Sequence, residues 1–134
     1  MSQDHEVSST QHVSVELLHD INAAFNSQDA DRIALFFAED AVFLMASGPE
    51  PEGRRITGRE EIRQVLAERF SRIPDMRWEH IYEYIAGDNR AVTVWRVKGL
   101  ATDGTVLDYQ GCDLWEFENG LVKHKDTYWK IVDA

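Results

Sequence analysis

The chain has 134 residues, 43% of them hydrophobic, and its 14 basic and 24 acidic side chains give a net charge of -10, so there is material for one core and too much of it for a disordered chain. A surface this acidic repels phosphate backbones, and nucleic acid is not an expected partner. No apolar run approaches the ~20 residues of a membrane helix, the single cysteine has no internal partner, and the polar N-terminus has no apolar signal core, so no membrane partner and a cytoplasmic location are expected.

Residues 1–12 read as a tail and residues 13–134 as one domain. Ser14 can cap a first helix, and Leu17, Leu18, Ile21, Ala24 and Phe25 follow the three-four spacing of one apolar stripe, predicting a helix over about 14–28. Asp29 or Asp31 can cap a second helix over about 30–38, carrying Ile33, Phe36 and Phe37. Ala41 to Met45 reads as a short strand. Residues 46–56 hold two of the three prolines and two glycines and read as a loop. Thr57 with Glu60 reads as a capping box for a third helix over about 58–73, with Ile62, Leu66, Phe70 and Ile73 on one stripe and Pro74 at its end. Four strands follow, over 78–85, 91–99, 105–118 and 121–132. Asn119-Gly120 is a two-residue hairpin signal between the last two. The basic cluster Arg54, Arg55, Arg59 and Arg63 reads as a solvated face.

Five segments carry a resemblance: 25–31 (FNSQDAD), 36–43 (FFAEDAVF), 58–62 (GREEI), 86–92 (AGDNRAV) and 113–120 (DLWEFENG). In this order and spacing the chain resembles the nuclear transport factor 2-like superfamily, and within it the SnoaL-like and ketosteroid-isomerase-like proteins. The resemblance implies an α+β fold in which three helices pack on a strongly curved mixed or antiparallel sheet, forming a cone with one pocket, commonly as a homodimer. It does not imply one activity.

Side chains alternate across a strand. Tyr109, Gly111, Asp113, Trp115 and Phe117 share the face richer in aromatics, which is taken as inward. A carboxylate there is costly if ionised and unpaired, so Asp113 is expected to hold its proton tightly unless a cation or donors meet it. Asp113 also resembles the ketosteroid-isomerase aspartate that donates a hydrogen bond to the substrate oxyanion. A two-residue turn at Asn119-Gly120 puts Trp115 opposite His124 and Asp113 opposite Asp126. Carboxylates about 5 Å apart repel by roughly 3 kcal/mol at an effective dielectric of about 20, so the pair would share a proton. One bulge would instead put Asp126 outside and Lys125 and Thr127 inside, with Lys125 an ordinary ion-pair partner of Asp113.

His80, on the strand face of Trp78, Tyr82 and Tyr84, completes the catalytic candidates Asp113, Asp126 and His80. Phe25, Phe43, Tyr82, Tyr109, Trp115 and Phe117 are expected to line the pocket and to favour a small apolar or cyclic molecule with one or two oxygens. Arg96 either pairs a pocket carboxylate or lies on the outer face. With Arg96 turned inward, Ala91, Thr93, Trp95 and Val97 face outward, and together with Cys112 and Leu114 they suggest a homodimer interface.

The steroid-isomerase base position falls at Met45 and its tyrosine near Ile21, so that route is not expected. The resemblance to limonene-epoxide-hydrolase-like proteins lacks one acid, because the matching stretch reads Arg96-Val97-Lys98. No metal-ligand spacing or Gly-rich phosphate loop is present, and no cofactor or metal is expected. Two classes remain: a cofactor-free enzyme doing acid-base chemistry of cyclase, dehydratase or isomerase type on a polyketide-like substrate, or a non-catalytic ligand-binding or assembly module.

Overall fold

The computed structural model describes residues 12–133. The expected tail over residues 1–12 lies outside them, apart from His12. Helix α1 spans Val15–Ser27, and Ser14 Oγ accepts from the Leu17 N–H at 3.1 Å as its cap. Leu18, Ile21, Ala24 and Phe25 form its buried stripe, and Gln28 ends it in the left-handed conformation (φ 60°). Helix α2 is Ala30–Ala34, capped by Asp29.

The second helix stops short of residue 38. Phe36 and Phe37 keep helical spacing, but the Phe36 carbonyl accepts from the Val122 N–H at 2.8 Å, and Phe37 opens strand β1, Phe37–Leu44. Pairing with a distant strand overrides the local pattern here. Strand β2, Arg55–Thr57, pairs antiparallel with β1 inside the stretch expected as loop. Thr57 is therefore a strand residue and not a helix cap. Gly58 (φ 98°) precedes helix α3, Arg59–Arg72, with no side-chain cap bond. Ile62, Leu66 and Phe70 of α3 are buried, as its stripe requires.

Strands β3 (Arg77–Ala86), β4 (Arg90–Leu100), β5 (Val106–Glu118) and β6 (Leu121–Trp129) follow. Asn119 (φ 54°) and Gly120 (φ 79°) both have positive φ, the requirement of a tight two-residue hairpin. The sheet order is β2-β1-β6-β5-β4-β3. Only β1 and β6 are parallel within it. Three helices thus pack on a mixed six-stranded sheet that does not close into a barrel, the α+β cone expected from the sequence.

Bulges decide which side chains face the helices. In β3 the pairing runs His80↔Trp95 and then Tyr82↔Val94, so Ile81 is the extra residue. In β6 it runs Phe117↔Val122 and then Glu116↔His124, so Lys123 is the extra residue. Each insertion reverses the faces of everything beyond it.

In β4, Ala91, Thr93, Trp95 and Val97 are buried, which corrects the expectation that they face outward. Trp95 pairs with Gly111 of β5, and a Cβ on Gly111 would come within 2.7 Å of the Trp95 ring. The glycine makes room for the indole on the inner face. Helix α1 is tied to the outermost strand by its own polar side chains. Asn26 Oδ1 accepts from the Trp78 N–H at 2.7 Å, Asn26 Nδ2 donates to the Trp78 carbonyl at 3.0 Å, and Gln28 Nε2 donates to the Met76 carbonyl at 2.8 Å.

Candidate functional site

The middle of β5 and β6 carries a buried charge pair. Asp113 pairs with Thr127 across the ladder, and Trp115 pairs with Lys125. Lys125 Nζ lies 3.2 Å from Asp113 Oδ1, with both side chains 7% exposed. Lys125 Nζ donates to Thr127 Oγ1 at 2.7 Å, and Thr127 donates onward to Asp113 Oδ1 at 2.6 Å. The indole of Trp95 donates to Asp113 Oδ2 at 2.9 Å. The carboxylate thus accepts from an indole N–H and a hydroxyl and lies beside an ammonium. The cluster does not include Asp126.

The Lys123 bulge is the reason. It pairs Leu114 with Asp126 and places Asp126 on the outer face, where it lines a cleft with Tyr84, Leu114, Glu116 and His124. The expected Asp113–Asp126 opposition is thereby corrected, and so is that of Trp115 with His124. Lys125 and Thr127 take the inward places.

Lys125 also sits among rings. Its Nζ is 4.1 Å from the centroid of Phe43, 5.4 Å from Phe25 and 5.6 Å from Trp115. Ring faces attract an ammonium and partly replace its lost water. Burial still pushes the Lys125 pKa below its ordinary 10.5, against the pull of Asp113. Arg69 of α3 is half-buried, and burial pushes its guanidinium down as well, with Arg72 adding to this and Asp113 opposing it. Among the described residues no buried side-chain polar atom lacks a partner. Trp115 Nε1 is satisfied by Thr93 Oγ1 at 2.9 Å.

Two clefts flank the cluster. The first is lined by Ile21, Asn22 and Phe25 of α1 with Trp78, His80, Trp95, Trp115, Asp113 and Lys125. Only about 20 Å³ of it is free, room for about one water. The second lies under Arg69 and is lined by Phe43, Met45, Tyr109, Thr127 and Trp129, with about 340 Å³ free, the size of a small-molecule site. Asp113 and Lys125 border the first cleft, and Thr127 borders the second.

The other expected residues divide accordingly. Phe25 and Trp115 line the first cleft. Phe43 and Tyr109 line the second, where Tyr109 stacks on Trp129 at 5.1 Å. Phe117 is core, stacked behind Trp115 at 6.1 Å. Tyr82 lies beyond the Ile81 bulge on the outer face, in a groove with Val94, Cys112 and Tyr128, and does not line the inner pocket. Arg96 also lies outside, its Nε 2.6 Å from Asp108 Oδ1. His80 keeps its inward place, with Nε2 2.7 Å from Glu83 Oε1. His19 of α1 approaches the same carboxylate, Nε2 to Oε1 3.7 Å. Sequence reading missed Trp95, Glu83 and His19 as site residues, and placed Lys125 and Thr127 inside only in the bulged alternative. The glycine facing Trp95 was the available signal for the first.

Comparison with curated proteins gives no match. Among solved structures, a protein of ketosteroid isomerase-like fold from Catenulispora acidiphila DSM 44928, in complex with trimethylamine, superimposes with TM-score 0.77 at 18% identity, over 89% of this chain and 88% of that one. A candidate polyketide cyclase from Xanthomonas campestris pv. campestris gives TM-score 0.74 at 19% identity, over 86% of this chain and 88% of that one. An uncharacterised cystatin-fold protein from Novosphingobium aromaticivorans gives 0.72 at 25% identity, over 84% and 94%. Residues 18–125 match the SnoaL-like domain, and the chain belongs to that family.

Proposed function

We propose that the protein takes a small, flat, largely apolar molecule carrying one or two oxygens into the cleft under Arg69, and that the Lys125–Thr127–Asp113 cluster moves a proton on it, as in a cyclase, dehydratase or isomerase reaction. The observation that carries this reading is the buried Lys125–Asp113 pair. Burying two charges between aromatic clefts opposes folding unless they are well matched, and titratable groups displaced in this way gather at functional sites. Thr127 Oγ1 links the pair to the second cleft and provides a path for the proton. Asp113 positions and neutralises, and Lys125 is the proton carrier in place of the Asp113–Asp126 dyad. His80, beside the first cleft, is a second candidate for proton transfer. The chemistry needs no cofactor, because each group is the chain's own. The trimethylamine in the Catenulispora acidiphila structure supports small-ligand binding in this fold, though that amine carries no oxygen, and the cyclase assignment of the Xanthomonas campestris protein supports the reaction class.

A second reading is ligand binding without turnover. It is favoured because Asp113 and Lys125 border the first cleft, which leaves room for only about one water, whereas the roomier second cleft is bordered by Thr127 and by neither charge. Incubation with cyclic ketones and phenols in deuterated water, followed by NMR, separates the two. Ligand shifts at Tyr109 and Trp129 with deuterium uptake that stops in Lys125→Met support the enzyme. Ligand shifts without uptake leave the binding module, and no shifts for any probe remove both.

The outer sheet face is proposed as a homodimer interface. Tyr82, Tyr84, Leu114 and Tyr128 are 45%, 66%, 40% and 55% exposed on it, beside the charged Asp126 and Glu116, and exposed aromatics rimmed by polar groups mark an interface. A cytoplasmic location is kept as part of this proposal, in keeping with the lone half-buried Cys112, whose thiol burial pushes up in pKa.

A further inference from the structure

His19 on α1 and His80 and Glu83 on β3 offer Nε2, Nε2 and a carboxylate oxygen that all lie within 4.8 Å of one another. We infer that these three side chains form a binding site for a divalent transition-metal cation of the zinc class. The inference does not depend on the proton-transfer reading.

The donor set is the first reason. Two imidazoles and one carboxylate suit zinc, cobalt and nickel, and they leave further coordination positions for water. The spacing is the second. Ligands about 2.0–2.2 Å from a tetrahedral centre stand about 3.3 Å from one another. The two separations, 2.7 Å for His80–Glu83 and 3.7 Å for His19–Glu83, lie on either side of that value. In this arrangement Glu83 is approached by both imidazole Nε2 atoms, and a metal ion would take the place of the proton in the His80–Glu83 hydrogen bond.

The Ile81 bulge is what builds the site. Without it, Glu83 would face away from His80, because residues three apart on a regular strand lie on opposite faces. The extra residue brings both to the inner side, where α1 supplies His19. The rings of His19 and His80 meet edge to face at 5.2 Å. Accessibility also fits: the His19 side chain is 55% exposed, while those of His80 and Glu83 are 21% and 25% exposed. An ion can enter from solvent and be held by a partly buried pair. A net charge of -10 raises the local concentration of cations. Because His80 and the neighbours of His19 in α1 line the first cleft, a bound ion would pin α1 to β3 at the edge of that cleft.

The test is zinc and cobalt titration of the full chain after EDTA treatment and its removal. Calorimetry with zinc chloride at pH 7 should give one saturable equivalent per chain, and cobalt should give a visible absorption band on binding. His19→Gln and Glu83→Gln should each weaken zinc by at least about tenfold, and zinc should raise the melting temperature of wild type but not of His19→Gln. His19 is exposed enough that His19→Gln keeps the metal-free melting temperature of wild type. If His80→Gln does not fold, His19→Gln carries the test. Absence of a saturable equivalent in wild type, or zinc affinity unchanged in His19→Gln, overturns the inference. So does an equivalent lost in His12→Gln but kept in His19→Gln, which would place the metal elsewhere.

Discussion

Lys125 Nζ lies 3.2 Å from Asp113 Oδ1, bridged by Thr127 and surrounded by aromatic rings, so each charge depends on the other. Asp113→Asn strands the ammonium, and Lys125→Met strands the carboxylate. Each single change should destabilise the fold by about 3–5 kcal/mol. The double variant should lose no more than the worse single one, because the stranded charge is gone. Urea melts at pH 7 check this. Additive losses, or an Asp113→Asn protein more stable than wild type, would rule out the ion pair as the main partner of Asp113.

The stability curve should carry the mark of Lys125 on its alkaline side. Burial depresses its folded pKa below the ordinary 10.5. Between the folded value and 10.5 the unfolded chain holds the extra proton, so this group's contribution improves as pH rises through that window. Cys112 and Tyr128 are raised and act the other way, so the informative quantity is wild type minus Lys125→Met. That difference should shift in favour of wild type as pH approaches 10.5. A difference that stays flat throughout would show that burial does not displace the lysine.

On the acid side the exposed carboxylates decide. Asp40, Asp108 and Glu60 are held below their ordinary values chiefly by hydrogen bonds from Lys123, Arg96 and Arg63. Their contribution is present above the ordinary carboxylate range and fades as pH falls through the lower folded values. Being at the surface, it should shrink in high salt. Acid titrations of stability at two ionic strengths check this, and identical curves would contradict it.

The outer face should hold a dimer. Leu114→Glu places a charge at the centre of Tyr82, Tyr84 and Tyr128, without touching the inner clefts. Light scattering should show a dimer for wild type at high micromolar concentration and a monomer for the variant. A monomeric wild type ends the proposal.

Gly111→Ala should destabilise the protein by about 1–3 kcal/mol. The added Cβ would meet the Tyr128 carbonyl oxygen at 2.4 Å and the Trp95 ring at 2.7 Å. Moving Trp95 loosens its bond to Asp113, so the tryptophan emission should shift together with the melting curve. An alanine variant with unchanged stability and emission would show that this contact can give.

Legibility in the sequence followed the regularity of the backbone. Helices α1 and α3 were readable to within about a residue from Ser14, the apolar stripes and Pro74. The Asn119-Gly120 hairpin declared its own turn chemistry. Asp113 was found because Tyr109, Trp115 and Phe117 made its face the richer in aromatics, although neither face of the strand is cleanly apolar. His80 stands before its bulge and was placed correctly, whereas Tyr82 and Asp126 stand beyond theirs and were not. A bulge is one residue of extra length with no composition of its own, and nothing near Ile81 or Lys123 signals it.

Trp95 fails for a different reason. Both faces of β4 are rich in apolar residues, so alternation alone cannot choose between them. The choice is made by Gly111 on the neighbouring strand. His19 was invisible because its partners lie on another element, and local spacing carries no trace of a meeting between a helix and a strand.

The Asn26 amide bound to both backbone groups of Trp78 has a consequence for how the molecule meets its own kind. A primary amide offers one donor and one acceptor side by side, as a peptide group does, so Asn26 stands in for one unit of a seventh strand. The outermost strand is thus already paired at that point, and a foreign strand cannot continue the ladder there. At the opposite margin, β2 has only three residues, too short a template to recruit another chain. Lateral growth is thus interrupted at Trp78 on one margin and given only a short template on the other, which favours the face over the edges in the proposed self-association.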